Sequence, residues 1–136
     1  MDPLSRRIAD MFLDGKITEL ANLFAPDALL DINVPQWRFQ VAGRDAASVL
    51  DPAADPDNAG MTDRVLVNSR VTALEDGVAV ESANTVTEDG ETRLWRDIHL
   101  FHHDGEHIVE LTSYCTGIWD AATIARQAVE APMLRP

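Results

Sequence analysis

One cysteine in 136 residues removes any internal disulfide from the problem, and nothing in the chain calls for an oxidising compartment. Cys115 sits in an apolar stretch, where a lone thiol is ordinarily a small buried hydrophobe and only exceptionally a nucleophile. Basic residues are scarce: 11 Lys and Arg stand against 23 Asp and Glu, for a net charge of −12. Without clustered cations to neutralise phosphates, nucleic acid is not an expected partner, and neither is an anionic membrane surface. No apolar run approaches the length of a membrane span. The N-terminal MDPLSRRIADMF is amphipathic and lacks the apolar core of a signal peptide, so a cytoplasmic location is expected. No GxSxG elbow and no glycine-rich phosphate loop occur. His102, His103 and His107 cluster without a defined metal-ligand spacing and read as polar turn residues. Neither a metal nor an organic cofactor is expected.

The hydrophobic fraction of 46% is that of a globular protein. A chain of this length forms one domain that buries roughly two thirds of its unfolded surface. We place that domain at residues 1–131, with 132–136 as a tail.

Asp2 followed by Pro3 marks a helix start, and Leu4, Ile8, Met11 and Phe12 then fall on one helical stripe. Asp14-Gly15 closes that helix, and Ile17, Leu20, Leu23 and Phe24 make the stripe of a shorter second one. Pro26-Asp27 precedes ALLDINV, a first strand that Pro35 ends, and WRFQV from Trp37 can add a short second strand. AASVL predicts one or two helical turns, and the segment from Asp51 to Gly60, with Pro52 and Pro56, predicts a loop. From Arg64 the pattern changes. Asp76-Gly77, Asp89-Gly90 and Asp104-Gly105 are three hairpin signals that cut out four antiparallel strands. TGIWD reads as a junction in which Trp119 packs and Asp120 caps a last helix, AATIARQAVEA. Helices gathered at one end of a strand meander imply an α+β fold, with the helices packed on one face of the sheet.

Two-residue turns fix which residues face each other. The Asp89-Gly90 turn sets Asn84 opposite Trp95, Ser82 opposite Asp97 and Val80 opposite His99. The Asp76-Gly77 turn sets Ser69 opposite Asn84, and the Asp104-Gly105 turn sets His99 opposite Glu110 and Trp95 opposite Tyr114. One sheet face then collects Asn84, Trp95, Asp97, His99, Phe101, Glu110 and Tyr114 among valines. A longer last loop would replace Glu110, Thr112 and Tyr114 on that face by Leu111, Ser113 and Cys115. Asp97 and His99 share a face in either register. An apolar pocket with a few convergent polar groups is the usual form of a ligand site. A polar row on an antiparallel strand is more often just its solvated side, and both readings stand at this point. The opposite face carries Ala79, Glu81, Ala83, Leu94, Arg96, Ile98, Leu100, Val109, Leu111 and Cys115, with Arg70 near Glu81. Its aliphatic part predicts a homodimer interface.

The element order, with LFAPDALLDI after the second helix, GRDAA opening the third and FHHDGEHIVELTSY at the end, resembles the nuclear transport factor 2-like or SnoaL-like superfamily. The resemblance implies a cystatin-like cone: a strongly curved, mainly antiparallel sheet with the N-terminal helices in its concave face and a pocket inside. It also implies a cofactor-free isomerase, dehydratase or cyclase acting on a small apolar or aromatic ligand, or a non-catalytic ligand-binding or dimerisation module. DIHLF looks like the ketosteroid isomerase strand whose protonated aspartic acid donates to an oxyanion, which assigns that role, or the orienting of His99, to Asp97. His99 would then be the general acid/base, with Asn84, Trp95, Phe101, Glu110, Tyr114 and Trp37 around the ligand. The chain departs from ketosteroid isomerase at its tyrosine, where it has Ile8, and at its general base, where it has Ile32 with Asp31 one position off.

Overall fold

In the computed structural model, which describes residues 1–51 and 56–135, the chain runs α1 (Pro3–Leu13), α2 (Ile17–Ala21), β1 (Phe24–Val34) and β2 (Trp37–Ala42). A 3₁₀ helix (Arg44–Leu50) stands where helical turns were expected. There follow β3 (Thr62–Leu74), β4 (Gly77–Glu88), β5 (Glu91–His103), β6 (Ile108–Cys115) and α3 (Ala121–Glu130). Of the loop expected between Asp51 and Gly60, residues 52–55 lie outside the described residues.

The α1 start follows the local chemistry. Asp2 is extended and its Oδ1 accepts from Ser5 N–H at 2.8 Å, with proline in the first turn. That backbone bond, with the Ser5 side chain and His103, holds the Asp2 carboxyl at about 2, below its ordinary 3.8. Because the folded-state value is the lower one, the cap's contribution is complete above the unfolded value. It is lost as pH falls from near 3.8 towards about 2. Asp2→Ala should therefore be less stable than the wild type at pH 7 and converge on it at the acid end. Parallel thermal melts across that range, with a constant difference throughout, would sink this account.

One sheet holds all six strands in the order β2-β1-β6-β5-β4-β3. Every neighbouring pair is antiparallel except β1 and β6, which run parallel. The sheet stays open, with β2 and β3 as its edges, and does not close into a barrel. The helices cover one face: Ile8 and Phe12 of α1 and Leu20 of α2 are buried with Leu30, Val78, Val80, Phe101, Ile108 and Leu111. This is the α+β arrangement that the strand and helix patterns imply.

Three register findings position the site. The Asp89-Gly90 hairpin pairs Asn84 with Trp95, Ser82 with Asp97 and Val80 with His99, as expected. The β3–β4 hairpin turns at Glu75-Asp76, one residue earlier than expected, so Ser69 faces Ser82. Gly77 lies inside β4 because a Cβ there would come 1.9 Å from the Phe101 carbonyl oxygen. The last hairpin has the longer loop, closed by Asp104 Oδ1 accepting from Glu106 and His107 N–H. His99 therefore faces Ser113 and Asp97 faces Cys115.

On the outer face Arg70 pairs with Glu81 across the β3–β4 ladder, beside half-buried Ile98 and Leu100. Leu111 and Cys115, expected on this face, lie on the other, because the longer loop changes which β6 residues point inward. Trp119 exchanges both backbone hydrogen bonds with Leu94, and Asp120 caps α3 through Thr123 N–H. No helix is long and apolar enough to cross a membrane.

Candidate functional site

Between the helical face and the sheet lies a cavity of about 560 Å³. Its lining includes Phe12 of α1, Ile32 and Phe39 of β1 and β2, and Trp95, Asp97 and His99 of β5. β4 and β5 are long and regular here, so alternation brings Trp95, Asp97 and His99 to one side.

His99 is a buried polar group at the cavity wall, with 7% of its surface exposed. Its Nδ1 lies 2.6 Å from Ser113 Oγ, and the Phe12 ring packs over it with centroids 4.5 Å apart. Its Nε2 is buried and has no hydrogen-bond partner among the described residues. Asp97 Oδ1 approaches Nε2 to 3.4 Å but off the hydrogen-bond line.

Asp97 is itself held from two sides. Ser82 donates its hydroxyl to Oδ1, and Trp95 donates Nε1–H to Oδ2 at 3.1 Å. Burial pushes the Asp97 carboxyl up, but His99, Ser82 and Trp95 together outweigh it and leave it below the ordinary carboxylate range. Donors on both of its oxygens favour the charged form over the protonated one.

The other expected site residues divide. Asn84 is fully buried and lies behind the wall, donating Nδ2–H to Ser82 Oγ at 3.2 Å. Phe101 is also fully buried, stacked behind His99 and Phe12, and belongs to the core. Glu110 and Tyr114 do not reach the cavity. The longer last loop turns both to the outer face, where Glu110 is exposed and Tyr114 is 51% exposed. Trp37 is 71% exposed at the β1–β2 turn and is not in the lining of this cavity. Asp31 lies on the far side of β1, bound by Arg38 Nε at 2.8 Å and by Gln40.

Ser113 and Arg64 join the site without having been singled out. Ser113 follows from the alternative last register. Arg64 lies in a register shift of β3 between Thr62 and Val65, next to a bulge that steps over Val67 between the Leu66–Asn84 and Asn68–Ala83 pairs. The bulge reverses the strand's alternation, and no residue type in RVLVNSR announces it.

His103 makes a second histidine contact with a hydroxyl, at 3.0 Å from Ser5 Oγ, and with Asp2 Oδ1 at 3.4 Å. Gly105 N–H donates to its Nδ1, so the neutral ring carries its proton on Nε2 and cannot take one from Ser5. That group is a latch between α1 and the last hairpin. His102 is engaged by Asp76 at 2.8 Å. Among the described residues no group of three or more His, Cys, Asp or Glu side chains is placed to hold a metal ion.

Cys115 lines the cavity, and burial pushes its thiol up; the Gly117 N–H pulls against this, and the nearby Asp97 charge adds a smaller push upward. We expect slow alkylation by iodoacetamide at pH 7.5, at least tenfold slower than free cysteine. Labelling followed by mass spectrometry checks it, and labelling as fast as free cysteine would show a thiolate the structure does not hold.

No protein-family model and no curated protein sequence matches the chain. Solved structures do. A nuclear transport factor 2-like protein of unknown function from Cytophaga hutchinsonii matches with a TM-score of 0.61 at 20% identity, over 81% of this chain and 94% of that one. The chain has the nuclear transport factor 2-like fold. A candidate polyketide cyclase from Xanthomonas campestris shares it at TM-score 0.57 and 22% identity, over 79% of this chain and 83% of that one. So does a steroid delta-isomerase from Pseudomonas aeruginosa, at 0.57 and 13%, over 96% and 90%. Identities this low establish the nuclear transport factor 2-like fold and leave the chemistry to the site itself.

Proposed function

We propose that this protein is a small-molecule enzyme that moves a proton within an apolar or aromatic substrate, of the isomerase, dehydratase or cyclase kind and without a cofactor. The observation that carries this is His99 Nε2, a buried ring nitrogen left without a hydrogen-bond partner at the wall of an apolar cavity. Such an atom costs about 1–3 kcal/mol unless something enters to pair with it.

In the tautomer that carries its proton on Nδ1, which then donates to Ser113 Oγ, the Nε2 lone pair can accept a proton from a substrate carbon or hydroxyl. The ring then becomes positive beside ionised Asp97, which offsets the new charge at 3.4 Å. Ser82 and Trp95 keep that carboxylate in place, so Asp97 acts through His99 as a positioning residue. The same nitrogen can return the proton to another substrate atom, which is isomerisation, or to a departing hydroxyl, which is dehydration. The solved neighbours named cyclase and isomerase carry such names on the same fold and lend the reading support, not proof.

Proton transfer leaves a trace before any product is known. Ligands found in a fragment screen, incubated with the protein in D₂O, should exchange an acidic C–H or convert, as followed by proton NMR. Ligands that bind in the cavity with neither exchange nor conversion would identify a binding module on the same fold.

A further inference from the structure

We infer that the cavity takes an anion, specifically the carboxylate of a small apolar or aromatic acid, and that Arg64 at its mouth receives it. This rests on the proposed use of the cavity and names the class of ligand that fills it.

Arg64 is exposed at the start of β3, lines the cavity and is fixed on two sides. Its Nε–H donates to Asn84 Oδ1 at 3.2 Å, and its guanidinium carbon lies over the Trp95 ring, 5.7 Å from the centroid. Among the described residues, neither restraint engages the outer edge of the guanidinium with its two terminal nitrogens. Among the described residues no carboxylate forms an ion pair with Arg64, although the chain has 23 acidic side chains to 11 basic ones. Two carboxylates also line the cavity, Asp51 and Asp97, and each already has a partner. An arginine whose plane is set and whose outer edge is free is the geometry that grips a carboxylate with two parallel hydrogen bonds.

The arginine is also wired to the proposed base. Arg64 binds Asn84, Asn84 binds Ser82, Ser82 binds Asp97, and Asp97 lies beside His99, which binds Ser113. Trp95 closes the circuit, since its face supports Arg64 while its Nε1–H holds Asp97. A carboxylate seated on Arg64 thus leaves the apolar body against Phe12, Phe39 and Ile32, with its carbon skeleton passing His99 Nε2. Two register shifts in β3, one over Val67 and one between Thr62 and Val65 that contains Arg64, accompany its placement at the cavity.

The test is a ligand-observed NMR panel of aryl- and alkyl-carboxylic acids, each with its neutral amide and its amine of the same skeleton, at millimolar concentration. Acids should bind better than their amides and amines. Arg64→Gln, which can still donate to Asn84, should weaken the acids by about tenfold or more while leaving the amides unchanged. Arg64→Lys, which keeps the charge and loses the fork, should fall between. Equal binding of acids and amides, preference for amines, acids insensitive to Arg64→Gln, or no acid binding at all would each overturn the inference. His99→Ala separates it from the catalytic proposal: Arg64-dependent binding that survives in a protein whose exchange does not depend on His99 keeps this inference and removes that one.

Discussion

A protein with alanine at position 99 should fold, bind ligand and lose catalysis by about 10²–10⁴-fold, the usual worth of a positioned acid-base group. The expectation of folding comes from how His99 is held. Its side chain is anchored by one hydroxyl, from Ser113, and packs against Phe12 and Phe101, so truncation opens space next to an existing cavity. The variant that decides the mechanism is Asp97→Asn. An amide keeps the size and accepts from Trp95, but it cannot offset a positive ring. The rate constant should fall while ligand affinity holds, and most steeply where the wild type is fastest. If Asp97→Asn instead weakens binding and leaves the rate of bound ligand unchanged, Asp97 is a ligand contact and the assignment of His99 as base loses its support. Ser113→Ala should give a smaller loss, since it frees the ring to rotate without removing the nitrogen. Exchange rates in D₂O, read for all three variants against the wild type, supply these comparisons.

Alanine at Gly77 should cost about 3 kcal/mol or more, through overpacking against backbone that has nowhere to go. The added Cβ would meet the Phe101 carbonyl oxygen at 1.9 Å and its carbon at 2.9 Å. Gly77 pairs with His102 in the β4–β5 ladder, so relief requires parting two central strands beside a fully buried phenylalanine. Gly90 is the control. It has φ of 77° with open space around it, so alanine there costs only the left-handed strain of about 1 kcal/mol. Urea denaturation of the two variants separates a steric role from a turn role. Equal costs would mean that Gly77 acts through backbone freedom alone.

That pair of glycines shows where the sequence was legible. Asp89-Gly90 and Asp76-Gly77 are the same dipeptide between alternating strands, and local turn chemistry treats them alike. Asp89 and Gly90 both adopt positive φ and make the turn. At Asp76-Gly77 a close approach to β5 takes the glycine into the strand and moves the turn back one residue. The helix caps, the strand order of the meander and the shared face of Asp97 and His99 follow from local patterns of this kind. The cavity's other half did not. Ser113 depends on the length of the last loop, set by how Asp104 folds onto Glu106 and His107. Arg64 depends on register shifts in β3, and the hold on Asp97 on donors from Ser82 and Trp95 that only the assembled sheet brings to it. Glu110 and Tyr114 were misplaced for the first of these reasons: a strand's faces exchange with every odd step in its register.

The parallel seam between β1 and β6 has a consequence for how the molecule comes into being. Asn33 on β1 reaches the Ser113 carbonyl on β6, 80 positions later, while β3 to β6 are built from neighbours in sequence. The meander can form early, by short closures; the seam must wait, because joining distant segments is the slow and entropically costly step. Ser113, whose hydroxyl anchors the His99 ring, is on the strand that makes the seam. On a ribosome the last strand emerges after everything it must join. The base therefore acquires its working orientation only once β6 has joined the sheet, and a fragment ending before Ile108 would hold the histidine without the Ser113 hydroxyl that anchors it.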